Sequence, residues 1–265
     1  MDFAVSEKMQ IIIKMIDEFV EKELIPLEPE FLTRPTSELL PRLREKQKLV
    51  KQMELWAPCH PQKYGGMGLN LMEHALVSEA LGRSPLGHFV FWCQAPDVGN
   101  IEILDLFATP SQKERYLMPL IQGDIRSCFS MTEVTQAGSN PLLMDTTAVI
   151  DGDDYVINGQ KIWTSYADKA DWIFCLVRTD SSGKKQEGIT FLLFDMETPG
   201  VSVRPVPLIT GDAHFCDTFL DNVVVPKENV VGEVGKGWSV AKALLVHERS
   251  MMAEMERNMP RSKMT

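Results

Sequence analysis

A chain of 265 residues, 44% hydrophobic and 24% charged, can bury the core of one large domain or two smaller ones. Its net charge of -10 excludes binding to nucleic acid or acidic lipid through bulk charge, while leaving room for a local basic site facing a phosphorylated ligand. The cysteines (Cys59, Cys93, Cys128, Cys175 and Cys216) show neither close pairing nor metal-ligand spacing, so reduced thiols and no metal are expected.

The first half is helical in period. Met9, Ile12, Ile13, Ile16, Phe19, Val20 and Leu24 recur at three and four residues, and Pro26 is expected to stop that helix. A second helix is expected from near Pro35-Thr-Ser-Glu38 to about Leu55, a third from Leu71 to Leu81 ending at Gly82, and a fourth from Val98 to Phe107. Thr109-Pro-Ser-Gln112 has capping-box spacing with Pro at the first helical position, and the helix it starts should end at Gly123. Between these, Trp56 to Asn70 reads as an irregular connection.

After residue 126 the pattern turns to strands. Thr146–Ile150, Asp151-Gly-Asp-Asp154 and Tyr155–Ile157 read as a hairpin. Gln160–Thr164, Trp172–Val177, Ile189–Phe194, Val201–Val203 and Thr218–Val225 read as further strands, and Thr179–Gln186 as a polar loop. No helix intervenes between these strands, which argues for an antiparallel barrel or sandwich and against a doubly wound parallel sheet. The helical period returns at Gly237. The expected architecture is therefore α+β and multidomain. It comprises an all-α domain (1–125), an antiparallel β-domain (126–234) and the start of a C-terminal helix (235–265). No apolar run reaches the roughly 18 residues that span a membrane. The start, Met1-Asp-Phe-Ala, carries no signal or transit pattern, so a cytoplasmic location is expected (mitochondrial or peroxisomal in a eukaryote).

Two segments carry the chemistry. Ser127-Cys-Phe-Ser-Met-Thr-Glu-Val-Thr-Gln-Ala-Gly-Ser139 is rich in small hydroxyl residues and glycine, which let backbone N–H groups approach a phosphate chain or a flat ring. Gly159-Gln-Lys-Ile-Trp-Thr-Ser165 offers a flat apolar wall with a hydroxyl beside it. Alone, Trp163 reads as a core aromatic. Together and in this order, the two segments resemble the flavin-contacting segments of the acyl-CoA dehydrogenase family. Pro61-Gln-Lys-Tyr-Gly-Gly-Met-Gly68, Gln112-Lys-Glu-Arg-Tyr-Leu-Met-Pro-Leu120, Phe219-Leu-Asp-Asn-Val-Val-Val-Pro226 and Gly232-Glu-Val-Gly-Lys-Gly-Trp238 extend the resemblance over nearly the whole chain.

The resemblance implies FAD as cofactor, an acyl-CoA thioester as substrate and α,β-dehydrogenation as the reaction. It places Phe129, Met131 and Thr132 along the flavin ring. Gly138 and Ser139 fall at the pyrophosphate and the acyl-CoA entrance, Trp163 on the flavin face and Ser165 near the reactive nitrogen, with Thr164 also among the cofactor-binding residues. Val134 stands where the family usually has Pro, and Asn140 where it usually has Asp, so the loop is open to a different shape. An electron-transfer flavoprotein or similar acceptor, and a homo- or hetero-oligomer, are the implied partners.

The reaction needs a positioned base with a raised pKa. Some family members place a Glu just before an Arg on the first C-terminal helix, and His247-Glu-Arg249 matches that place. Glu248 is thus the candidate base, with Arg249 its neighbouring charge and Val246, Ser139 and Arg249 beside the substrate. Read only from composition, Glu248-Arg249 is a solvated helix face. The apolar residues Leu244, Leu245, Met251, Met252 and Met255 are expected to be exposed and to need another partner. The reading of another class is a non-catalytic binding or scaffold subunit completed by a second polypeptide.

Overall fold

The computed structural model describes residues 5–135, 137–138, 140, 143–209 and 211–246. They pack as two compact units, one ending at Val98 and the other spanning Gly99–Val246.

The first unit is helical. In α1 (Glu7–Phe19) the Ser6 hydroxyl accepts the Met9 N–H, and Met9, Ile12, Ile16 and Phe19 form the buried stripe. Pro26 does not stop the helical path. A π turn (Val20–Leu24) and a 3-10 turn (Ile25–Leu27) lead directly into α2 (Glu28–Phe31). Pro26 sits at the start of a fresh turn, where its missing N–H would have had no partner in any case. Helix α3 (Thr36–Gln52) ends before Leu55, because Glu54 takes a left-handed φ of 60°. In α4 (Leu71–Leu81) Asn70 and Glu73 form a reciprocal capping box, both bonds being 3.0 Å. A short helix that the sequence pattern did not indicate, α5 (Gly87–Val90), follows. A Cβ on Gly87 would lie 2.2 Å from the Leu81 carbonyl oxygen, so only glycine fits there.

The second unit takes up α6 (Asp97–Phe107) from Gly99 onward. Thr109 and Gln112 then cap α7 (Pro110–Gln112) reciprocally at 3.2 and 3.0 Å. The path continues through a π turn (Lys113–Leu117) and α8 (Met118–Gln122) to a left-handed Gly123. Replacement of a capping Thr by Ala costs about 1 kcal/mol. Thr109→Ala is therefore expected to lower the urea unfolding midpoint of this unit, and an unchanged midpoint would show that the cap contributes nothing.

A seven-stranded sheet follows, in the order β1 (Ser127–Ser130), β4 (Trp172–Arg178), β2 (Thr147–Asp151), β3 (Asp154–Ser165), β7 (Phe215–Pro226), β6 (Val201–Val206). Off that path, β5 (Ile189–Asp195) pairs with β4. The β2–β3 hairpin turns on Gly152-Asp153, with Gly152 at φ 57°. The segments Tyr155–Ile157 and Gln160–Thr164, read as two strands, are one continuous β3, with register shifts against β7 where they meet and again before Thr164. The sheet is antiparallel except at β4, which pairs in parallel with β1 and, at Thr147↔Arg178, with β2. Tyr155, Ile157, Ile173, Cys175, Leu192 and Val223 form the centre of its core.

The chain is helical again from 237 to 246, here α9. Gly237 allows this start, because a Cβ there would sit 2.6 Å from the Phe191 nitrogen. Leu244 does not await a partner. It is 5% exposed, and its Cδ1 lies 2.6 Å from where a Cβ on Gly99 would stand. Met251, Met252 and Met255 lie outside the described residues.

Candidate functional site

β1 delivers the first of the two chemistry-bearing segments to the edge of β3. Phe129 stacks on buried Phe191, with ring centroids 6.1 Å apart and planes at 24°. The Ser130 and Thr164 hydroxyls meet at 2.7 Å, and both residues are buried. Thr164 therefore turns its hydroxyl inward to Ser130. Beyond β1 the chain runs alongside β3, and the Ile162 N–H donates to the Thr132 carbonyl at 2.9 Å. Met131 and Thr132 are half-buried, and Gly138 is exposed beside them. A Cβ on Gly138 would press on the Thr132 methyl at 3.1 Å. Met131, Thr132 and Gly138 line one small cleft together with Ala137, Asn140 and Leu143.

Trp163 is not a core aromatic. It is 51% exposed and sits at φ 62°, inside the second register shift between β3 and β7. A bulky residue in the left-handed region costs roughly 1–2 kcal/mol, and such strain collects where a side chain must be re-aimed. The bulge turns the indole outward, with the Phe215 edge against it at 6.1 Å and 87°. Ser165 follows at the strand end, half-buried and paired in register with Phe215. An exposed flat ring, a neighbouring hydroxyl and a glycine-opened backbone suit a planar cofactor carrying phosphates. The residues present therefore fit FAD.

Beneath this surface lies an ion pair absent from the sequence reading. Lys161 is 0% exposed, and its Nζ donates to Glu133 Oε1 at 2.8 Å and to the Met131 carbonyl at 3.3 Å. Glu133 also accepts the backbone N–H groups of Asp145 and Thr146, the latter at 2.9 Å. Burial pushes the Glu133 carboxyl up. The Lys161 charge, with the hydrogen bonds from Lys161, Thr146 and Asp145, outweighs burial and holds it below its ordinary value. One signal for this pair was legible: Lys161 falls on an inward position of an alternating strand, where a lone charge requires a partner. Nearby Cys175 is fully buried and burial pushes its thiol up to about 11, so it stays protonated and unreactive.

A second feature also escaped the sequence reading. A cavity of about 360 Å³ is lined by Met144, Thr147, Arg178, Ser181 and Lys185, among others. The Arg178 side chain donates to the Met144 and Lys185 carbonyls at 3.0 and 2.9 Å, which fixes the wall of the polar loop. Val246 is 62% exposed on α9. Ser139, Glu248 and Arg249 lie outside the described residues. Among the described residues no cluster of His, Cys, Asp and Glu could hold a metal ion, and no helix is long and apolar enough to cross a membrane.

Comparison with known proteins agrees across both halves. Residues 6–124 match the model of the acyl-CoA dehydrogenase N-terminal domain, and residues 128–223 that of the middle domain. The chain is similar to acyl-CoA dehydrogenase FadE34 of Mycobacterium tuberculosis. The two are 37% identical over 235 residues, which is 87% of this chain but 32% of the relative. It is similar in structure to an acyl-CoA dehydrogenase from Geobacillus kaustophilus, with a TM-score of 0.78 and 25% identity, covering 96% of this chain and 66% of that one. A likeness to the ChsE4–ChsE5 complex of Mycobacterium tuberculosis has a TM-score of 0.71 and 27% identity, covering 93% and 61%. The chain thus spans about a third of the length of the FadE34 relative.

Proposed function

The chain belongs to the acyl-CoA dehydrogenase family, and from that premise we propose that it supplies the flavin-holding part of an enzyme that dehydrogenates an acyl-CoA thioester between its α and β carbons. The observation that carries this reading is Trp163, half-exposed on a strained bulge beside Thr132 and Ser165. Trp163 offers its ring to the flavin face. Thr132, Ser165 and the backbone near Phe129, Met131 and Thr164 would hold the flavin ring, and Gly138 and Ser139 would take the pyrophosphate. When bound, FAD supplies the acceptor for the hydride that leaves the β-carbon. Glu248 takes the α-proton, while Arg249 and Val246 border the substrate. An electron-transfer flavoprotein or a similar electron acceptor is the partner in keeping with the family. A homo- or hetero-oligomer is the assembly in keeping with the family.

The test is the visible spectrum. The purified protein supplied with FAD is expected to be yellow and to bleach anaerobically on addition of a suitable acyl-CoA. A protein that stays colourless would overturn the flavin reading. A yellow protein that no acyl-CoA bleaches, across a series of chain lengths, would make it a non-catalytic subunit. Stacking on an aromatic ring contributes about 0.5–1.5 kcal/mol. Trp163→Ala should accordingly weaken FAD binding roughly 2- to 10-fold in a flavin titration. The apo-protein melting temperature should hardly move, since half of the side chain is already in water.

A further inference from the structure

We infer that the buried Lys161–Glu133 ion pair is a positioning device that sets the flavin-facing surface before any ligand arrives. The inference rests on the flavin reading and extends it to a buried pair, of which Glu133 also borders the cleft formed by Met131, Thr132 and Gly138.

Lys161 ties β3 to the Met131 carbonyl and to Glu133, at 3.3 and 2.8 Å. Glu133 in turn holds the N–H groups of Asp145 and Thr146. One ion pair thereby fixes both ends of the segment between 133 and 145, which contains Gly138. Two further ties run parallel to it. The Ile162 N–H reaches the Thr132 carbonyl at 2.9 Å, and the Ser130 and Thr164 hydroxyls meet at 2.7 Å. Apart from Asp145 and Thr146, every residue in these ties lies within two residues of Trp163 or Thr132. The bulge that turns Trp163 outward begins at Lys161 itself, since the register against β7 is regular from Gly159↔Leu220 to Lys161↔Thr218 and resumes, shifted, at Thr164↔Cys216. With Lys161 anchored inward, the strand can recover its alternation only by extruding residues before Thr164, and Trp163 is the one exposed.

Stability alone gives little reason for such a pair. The attraction of two desolvated charges roughly offsets the cost of burying them, and apolar residues of the same volume often serve as well. What the pair adds is direction. Lys161 and Glu133 bind each other, one carbonyl and two backbone N–H groups, which holds a surface to the tolerance that a bound ring requires.

The test compares the parent, Glu133→Gln, Lys161→Met and the double variant Glu133→Gln/Lys161→Met. The double variant removes both charges while keeping the volume and an amide carbonyl acceptor at position 133, so it should fold even where the single variants do not. Three readouts are taken: amide exchange at Asp145, Thr146 and Ile162 in the apo protein, FAD affinity, and the visible and circular-dichroism envelope of the bound flavin. The double variant is expected to melt near the parent and to exchange those amides faster than the parent, with β4 and β5 unchanged. It should bind FAD at least about tenfold more weakly, with an altered flavin envelope. A double variant that binds FAD as tightly as the parent with the same envelope overturns the positioning role and leaves the flavin reading intact. A parent that binds no FAD overturns both.

Discussion

Glu248→Gln is expected to slow flavin reduction by acyl-CoA about 100- to 10,000-fold, the contribution of a positioned acid–base group. Gln keeps the size and hydrogen-bonding capacity of Glu but cannot accept the α-proton. FAD and acyl-CoA should therefore still bind, and the loss should fall on the reduction rate rather than on apparent affinity. Arg249→Ala should differ in kind, disturbing affinity as well as rate, because it removes a charge beside the substrate rather than the proton acceptor. Rapid-mixing absorbance at the flavin band, in the fully assembled protein, separates the two. If Glu248→Gln bleaches as fast as the parent, Glu248 is a solvated helix residue and the base lies elsewhere in the assembly.

Glu133→Gln should have the largest effect on stability. It leaves the Lys161 ammonium, 0% exposed, without its counter-charge. Breaking one side of a buried pair costs about 3–5 kcal/mol, to be read from the chemical unfolding midpoint at neutral pH. The gap between parent and variant should depend on pH in a definite sense. Glu133 is held below its ordinary value in the folded protein. Its stabilising contribution is therefore complete above about pH 4.3, the unfolded value. It is lost as pH falls from there through the lower native value. The two proteins should converge on acidification. A gap that stays constant from neutral pH to below the native value would mean that Glu133 is not ionised in the fold.

Much of the local structure could be read from the chain because its causes are local. Asn70 with Glu73, and Thr109 with Gln112, are spaced three apart, and each pair closes the cap that this spacing implies. Gly152-Asp153 between two alternating runs is a hairpin turn for the same reason. Thr132 and Trp163 stood out because each sits in a short segment of hydroxyl residues and glycine, and the two segments follow in a set order. What local pattern could not supply was partnership. Lys161 finds Glu133 across 28 residues, and nothing near either of them in the chain names the other. The parallel pairing of Ser127–Ser130 with β4, from Ser127↔Trp172 to Ser130↔Cys175, is equally long-range.

Sequence by itself determined most of the element types and the helical-then-β order, since hydrophobic period, caps and turn residues act within a few positions. Tertiary structure alone decided that Pro26 continues a helical path, that Tyr155 to Thr164 is one strand, that Leu244 is covered and that Trp163 faces out. Each of these depends on which distant group satisfies a backbone bond, fills a volume or pairs a charge. In a folded chain that is settled by packing across many tens of residues.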